Sequence, residues 1–195
     1  MTKASLDSNY WNNRYEGNEM GWNIGYANSI HVDYVLEHCK PDSRILIPGA
    51  GKAYEAAALY KKGYKNVFAL DFAPEVKEIF LEENPDFPEN QYLVEDFFEH
   101  NETYDVILEQ TFFCAIHPSL RSQYTEHVYH LLKEGGLLYG VLFNFEKLDG
   151  PPFGGTKKEY RALFQEKFNI LKLEQSVNSI PERAEKELLL EILKK

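Results

Sequence analysis

Ile45-Leu46-Ile47-Pro48-Gly49-Ala50-Gly51-Lys52-Ala53 is the stretch on which the fold turns. Residues 44–47 make a short apolar run that stops at Pro48-Gly49-Ala50-Gly51. From residue 52 a helical period begins, with Ala53, Ala56, Ala57, Leu59 and Tyr60 on its apolar positions up to Lys62, and Gly63 stands where a helix end favours glycine. Strand, glycine turn and helix in this order let the backbone approach a ligand closely, since glycine carries no side chain to hold it off. The helix that follows offers amide donors and a positive dipole end. The same residues are also compatible with a plain tight connection.

Outward from this unit the alternation continues. Upstream, residues 30–39 have helical spacing and end at Pro41-Asp42. Downstream, residues 66–70 read as a second strand ended by Asp71, and a helix begins at Pro74, where proline fits best, and runs to about residue 83. Residues 91–94 and 104–108 are further strands. Residues 119–132 form a helix that Lys133-Glu134-Gly135-Gly136 closes, and 137–143 is a fifth strand, apolar enough for burial on both faces. Residues 157–168 read as a helix, and 169–175 with 185–193 as a final antiparallel pair, although 185–193 is also compatible with a helix.

This pattern predicts an α/β protein with a mostly parallel, seven-stranded sheet covered by helices on both faces. Ligands of such sheets sit beyond the carboxyl ends of the strands. The turn at 48–51, Asp71, residues 95–98 and residues 109–116 all fall there. Residues 1–28 differ in character: Tyr10, Trp11, Tyr15, Trp22 and Tyr26 stand among glycines and asparagines, as in an arm or short helix lying over something. The expected organisation is one domain over 1–195, with 1–28 as arm or lid.

The totals bound the function. A chain of 195 residues with 44% hydrophobic and 27% charged residues buries a core without staples. Net charge is −10, which disfavours a nucleic-acid partner, because such binding rests on lysine and arginine neutralising phosphates. The six histidines are scattered and the two cysteines, Cys39 and Cys114, form no ligand pair, so no metal site is expected. No apolar run approaches the roughly 20 residues of a membrane span, and residues 1–15 lack the apolar region of a signal peptide. The expectation is a soluble, cytoplasmic protein, monomeric, with a small-molecule partner.

Asp71 ends the second strand about twenty residues after Gly51, the spacing of a carboxylate that accepts hydrogen bonds from a ribose diol. It also suits a helix cap before Pro74. Position 54 is Tyr54, so the third glycine of the dinucleotide fingerprint is missing. That shifts the reading from a pyrophosphate-bearing dinucleotide to a ligand such as S-adenosylmethionine. Glu95-Asp96-Phe97 fits that ligand, with Asp96 accepting from an adenine amino group and Phe97 giving backbone and ring contacts; a solvated loop acid is the other reading of Asp96. Glu109-Gln110-Thr111-Phe112-Phe113-Cys114-Ala115-Ile116 sets a polar patch beside an aromatic one. The polar part suits a methionine amine and carboxylate, and the aromatic part suits a wall around a methyl group, with one of Phe112 and Phe113 in the core. Cys114 has no activating group nearby except His117 and is not expected to be a nucleophile.

With these residues in hand, the chain resembles the thiopurine S-methyltransferase superfamily, and within it the halide and thiol methyltransferase branch. The resemblance spans nearly the whole length. It rests on Trp11-x-x-x-Tyr15, Gly21-Trp22-Asn23-Ile24-Gly25, Pro48-Gly49-Ala50-Gly51, Leu70-Asp71, Glu95-Asp96-Phe97-Phe98, Thr111 to Ile116, Leu131-Leu132-Lys133-x-x-Gly136, Gly150-Pro151-Pro152-Phe153 and Ile180-Pro181-x-Arg183. It implies a Rossmann-like class I methyltransferase fold with S-adenosylmethionine as cofactor, held by Trp11, Tyr15, Trp22, Gly49, Gly51, Asp71, Asp96, Phe97, Glu109 and Thr111. Phe113, Phe143, Pro152 and Arg183 are the expected acceptor pocket. Position 53 is alanine where the halide branch often has glycine, and residues 143–149 match the family poorly.

The implied reaction is direct displacement on the sulfonium methyl by a thiolate, hydrosulfide, thiocyanate or halide, with Arg183 steering the anion. A thiopurine or an oxidised selenium or tellurium compound is the alternative acceptor. No dedicated base is expected, since a thiol of pKa near 8.5 already supplies thiolate at neutral pH. A non-catalytic cofactor-binding scaffold and a nicotinamide-dependent oxidoreductase are the readings from other classes.

Overall fold

The computed structural model describes residues 6–17 and 19–195; residues 1–5 and 18, part of the expected arm, lie outside the described residues. Residues 45–48 form the first strand (β1, Ile45–Pro48), buried at every position. Its side chains alternate between faces, as a pleated strand requires. Ile45 and Ile47 pack on one side with Ile30, Val35, Ala56, Leu59, Val76 and Phe80. Leu46 packs on the other with Tyr124, Val128, Leu131, Tyr160 and Phe164. The helices supplying the first group are α2 (Ser29–His38), α3 (Tyr54–Lys61) and α4 (Pro74–Glu83); those supplying the second are α5 (Arg121–Leu131) and α6 (Lys157–Phe164). A further helix, α1 (Ser8–Glu16), buries no residue and lies on the surface against α4.

The other strands are β2 (Val67–Asp71), β3 (Tyr92–Val94), β4 (Tyr104–Gln110), β5 (Leu132–Phe143), β6 (Phe168–Gln175) and β7 (Glu187–Lys194). They form one sheet in the order β3-β2-β1-β4-β5-β7-β6. The pairs from β3 to β5 are parallel, and β7 runs antiparallel to both β5 and β6. This is the expected Rossmann-like architecture. The chain leaves β1 towards β3 and returns on the other side as β4, and that reversal opens a crevice at the carboxyl ends of β1 and β4.

Several boundaries differ from the sequence expectation, each for a local reason. Helix α3 starts at Tyr54 and not at residue 52, because Ala53 is left-handed, with φ of 45°. Helix α6 ends at Phe164; Phe168, expected as its last residue, opens β6 with 1% of its surface exposed. Residues 133–136 were expected to be a turn closing a helix, yet they lie inside β5. There the ladder slips, from Tyr104 opposite Leu132 to Val106 opposite Leu137. Gly135, at φ of 71°, absorbs the extra residues as a bulge. The open choice for 185–193 resolves as strand β7, whose Leu188, Leu190 and Ile192 are buried. Among the described residues no helix is long and apolar enough to cross a membrane.

Candidate active site

A cleft of about 1200 Å³ opens over the carboxyl ends of β1, β2 and β4. Its size exceeds the usual range for small-molecule sites, about 300–1,000 Å³, so it has room for two reactants. Trp11, Tyr15, Trp22, Gly49, Asp71, Asp96, Phe97, Thr111, Phe143, Pro152 and Arg183 all line it. Gly51, Glu109 and Phe113 do not.

The floor is the turn after β1. Gly49, Gly51 and Ala53 have φ of 58°, 52° and 45°, a left-handed conformation at every second residue. A Cβ on Gly49 would collide with the Phe112 ring, and one on Gly51 would lie 2.9 Å from the Tyr15 hydroxyl. Asp71 ties the turn down. Its Oδ2 accepts from Gly51 N at 2.9 Å and its Oδ1 from Ala73 N at 3.1 Å, with Phe72 N as a further donor. Thus Gly51 acts through its amide, behind the cleft wall. Burial pushes the Asp71 carboxyl up to about 6, against the pull of those three amides. A carboxylate offers about four lone-pair sites, so capacity for one more donor remains on a residue that lines the cleft. Asp71 therefore serves as both turn anchor and candidate ribose acceptor, and the two sequence readings are compatible.

Asp96 likewise does two things. Its Oδ1 accepts from Phe98 N at 2.9 Å and caps a short 3-10 turn, Phe97–Glu99, while the residue borders the cleft. Phe97 is 3% exposed, its ring 5.0 Å from that of Phe112 and 5.6 Å from that of Tyr124. Next to them, Glu95 is held by a relay: its Oε1 lies 2.7 Å from His100 Nδ1, and His100 Nε2 lies 2.7 Å from the Tyr104 hydroxyl.

The roof is the aromatic arm. Helix α1 is capped by Asp7, whose side chain accepts from Tyr10 N, and Ser8 Oγ donates to Phe72 O at 2.9 Å, anchoring the helix beside Asp71. Trp22 sits edge-on to Trp11 at 5.3 Å and to Tyr15 at 5.8 Å. Burial, followed by the charge of Asp71, raises the Tyr15 phenol far above its ordinary value, so it stays neutral. Arg14, not singled out in the sequence, also lines the cleft; its guanidinium lies 6.0 Å from the Trp22 ring and pairs with Glu19 at 2.8 Å. The helical spacing of Trp11, Arg14 and Tyr15 was the signal for it.

Two expected site residues are corrected. Glu109 does not reach a ligand: fully buried, its Oε1 accepts from Phe112 N and Phe113 N, both at 2.9 Å, and its Oε2 accepts from the Tyr124 hydroxyl at 2.7 Å. It holds the 111–116 loop from behind, and burial pushes its carboxyl up to about 7. Phe113 is core, packed on Tyr124, Tyr160 and Phe164. Phe112 faces the cleft in its place, because Thr111, at φ of 60°, reverses the side-chain alternation just after β4. Cys114 is buried, its Sγ donating to Thr111 O at 3.1 Å; burial raises its thiol, which suits packing and not attack.

The far wall comes from the loop after β5 and the segment before β7. Phe153 N donates to Cys114 O at 2.7 Å, joining the loops after β5 and β4. Phe143, Pro151, Pro152 and Phe153 give that wall its apolar surface. Arg183 is set among them, 8% exposed, its Cζ 5.7 Å from the Phe143 ring, and its Nη2 donates to Trp22 O at 2.8 Å. Glu187, which the sequence reading passed over, stands four residues later with its Oε1 3.6 Å from Arg183 Nη1. An opposite charge at that spacing was the available signal.

The donor set suits a nucleoside with a cationic centre: a buried acid at the end of β2 for a diol, an acid at the end of β3 for an amino group, and aromatic faces for a sulfonium. Comparisons with known proteins agree. Residues 6–194 match the family described as Thiopurine S-methyltransferase (TPMT). The probable thiol methyltransferase 2 of Arabidopsis thaliana is 31% identical over 159 residues, 78% of this chain and 70% of that protein. Thiocyanate methyltransferase 1 of Brassica oleracea is 29% identical over 192 residues, 95% of this chain and 84% of that protein. Among solved structures, the 1,6-didemethyltoxoflavin-N1-methyltransferase of Burkholderia thailandensis, with bound S-adenosylhomocysteine, superposes at a TM-score of 0.77. That match covers 98% of this chain and 88% of that one at 18% identity, a likeness of fold. With the family match spanning nearly the whole chain and a cleft whose donors suit its cofactor, this chain belongs to the thiopurine S-methyltransferase family of S-adenosylmethionine-dependent methyltransferases.

Proposed function

We propose that this methyltransferase acts on a small, soft nucleophile: a thiolate, hydrosulfide, thiocyanate or halide. The observation that carries this reading is a buried guanidinium, Arg183, 5.7 Å from the Phe143 ring, lining the cleft together with Phe112, Pro152 and Phe153. The cofactor, when bound, supplies an electrophilic methyl on a sulfonium, open to direct displacement. Asp71 accepts from the ribose and Asp96 from the adenine edge. Trp11, Tyr15 and Trp22 close over the bound molecule and exclude water. The aromatic wall gives an anion little water to replace, which favours large, weakly hydrated nucleophiles. Arg183 attracts the anion and orients it. A thiol of pKa near 8.5 arrives partly ionised at neutral pH, so no residue need remove its proton, and the raised thiol of Cys114 leaves it a wall residue.

The names of the plant relatives, a probable thiol methyltransferase and a thiocyanate methyltransferase, favour the same class. The family's own name and the spare volume of the cleft favour a second reading, a thiopurine acceptor. The test is an acceptor screen with hydrosulfide, thiocyanate, iodide, thiophenol and 6-mercaptopurine, reading S-adenosylhomocysteine release. Turnover of the first four supports the proposal, and turnover of the purine alone replaces it. No turnover, in protein that binds S-adenosylhomocysteine, points to a cofactor-binding scaffold.

A further inference from the structure

Beyond the acceptor's identity lies its charge selectivity, and the buried pair Arg183–Glu187 carries it. Arg183 lines the cleft, while Glu187 opens β7 at 1% exposure. Glu187 also borders a small second cavity with Glu109, Thr111, Cys114 and Phe143. The two charges lie 3.6 Å apart, close enough for each to feel the other and too far for a hydrogen bond. Arg183 Nη1 is buried with no hydrogen-bond partner among the described residues, although Nη2 is satisfied by Trp22 O. Nη1 is out of reach of solvent and lies on the Glu187 side, so what Arg183 presents to the cleft is its charge, and leaving that N–H unpaired costs free energy.

We propose that Glu187 is the specificity-determining residue of the acceptor site: its carboxylate cancels most of the Arg183 charge, so that the site favours a weakly hydrated anion. Uncompensated, a guanidinium in this apolar wall would hold any anion, including the sulfate and phosphate abundant in solution. Balanced by Glu187, it offers little net charge. A strongly hydrated anion then loses more on leaving water than it recovers, whereas a soft, diffuse one loses little. Selectivity thus comes from what is built against the wrong ligand as much as from contacts to the right one.

The inference rests on placing the acceptor beside Arg183, so its test reads binding and not turnover. Protein saturated with S-adenosylhomocysteine is titrated with sodium thiocyanate, and separately with sodium sulfate, following the fluorescence of Trp22 and Trp11. The isosteric Glu187→Gln is expected to bind thiocyanate at least tenfold tighter than the wild type and to gain saturable sulfate binding. Arg183→Gln is expected to lose thiocyanate binding by tenfold or more, alone or combined with Glu187→Gln. Unchanged or weaker thiocyanate binding in Glu187→Gln overturns the proposal. So does tightening that survives in the double variant, or tightening of S-adenosylhomocysteine alone, which would assign Arg183 to the cofactor. Tightened anion binding in a protein that methylates no thiol or halide supports the proposal and counts against the acceptor reading instead.

Discussion

Lowering the pH through 6 should loosen the cofactor, because one carboxyl at the floor of the cleft changes form there. Burial pushes Asp71 up to about 6 in the free protein. The ribose hydroxyls donate, so they need the ionised carboxylate, and the bound state holds it ionised. With a free-state value of 6, the protonated fraction competes with the ligand, and affinity falls by a factor of 1 + 10^(6−pH). That factor is about 2 at pH 6 and about 11 at pH 5, the latter worth about 1.4 kcal/mol. Calorimetric titration with S-adenosylhomocysteine at pH 5, 6, 7 and 8 checks it. At pH 6, binding should release about half a proton per molecule bound, read from the heat in buffers of different ionisation enthalpy. Asp71→Asn, which cannot ionise, should bind more weakly at pH 7 and lose the dependence. A wild type with flat affinity from pH 5 to 8, or Asp71→Asn with the same slope, would refute the assignment of Asp71 to the ribose.

The stability of the free protein should move in the opposite sense. Asp71 and Glu109 are both raised by burial, to about 6 and about 7, so the stability their neutral forms give is complete below about 4 and is lost as pH rises through 6 and 7. For these two groups melting of the free protein is expected to fall across that window, while the melting gain from S-adenosylhomocysteine grows; a fall just as steep in Asp71→Asn and Glu109→Gln would contradict this. Trp22→Ala removes edge contacts to Trp11 and Tyr15 and should raise the cofactor KM about tenfold with a native melting profile; loss of the fold would make the arm part of the core. Gly140→Ala would drive a Cβ into the Glu109 carbonyl oxygen and should cost about 2 kcal/mol, lowering the melting temperature by about 4–8 °C; an unchanged melt would show that β4 and β5 can separate there. Cys114→Ser keeps the donor to Thr111 O and should keep activity within about tenfold, and a loss beyond about a hundredfold would restore the thiol as a candidate nucleophile.

Much of this was legible because the sheet's carboxyl ends are read by local signals. Gly49, Asp71 and Asp96 each stand at or just beyond the end of an apolar strand, so periodicity alone places them on one rim. What escaped were residues whose role depends on partners distant in the chain. Glu109, one residue before the end of β4, reads like Asp71 at the end of β2, yet it turns inward, where Tyr124 and the amides of Phe112 and Phe113 satisfy it. Phe112 and Phe113 were interchangeable in sequence, and the left-handed Thr111 decided which faces the cleft. Residues 133–136 look like a helix stop and are a strand bulge, because the ladder with Tyr104 and Val106 outweighs two glycines. Arg183 was found by family likeness; its contact with Trp22 O, 161 residues away along the chain, has no local trace.

The order of the strands carries a consequence for how the molecule is made. β7 is the last strand in the chain, yet it lies between β5 and β6. A ribosome that has delivered everything up to β6 has therefore produced a sheet that stops at β5, with β6 left unpaired. The edge of β5 that β7 will cover, from Leu137 to Phe143, is then open and rich in apolar side chains. Such an edge is a template for pairing with another chain. β6, with no neighbour to dock on, cannot shield it. Vectorial synthesis thus leaves this nascent chain sticky until β7 emerges, and a truncation within β7 should show itself as aggregation and degradation more than as lost catalysis.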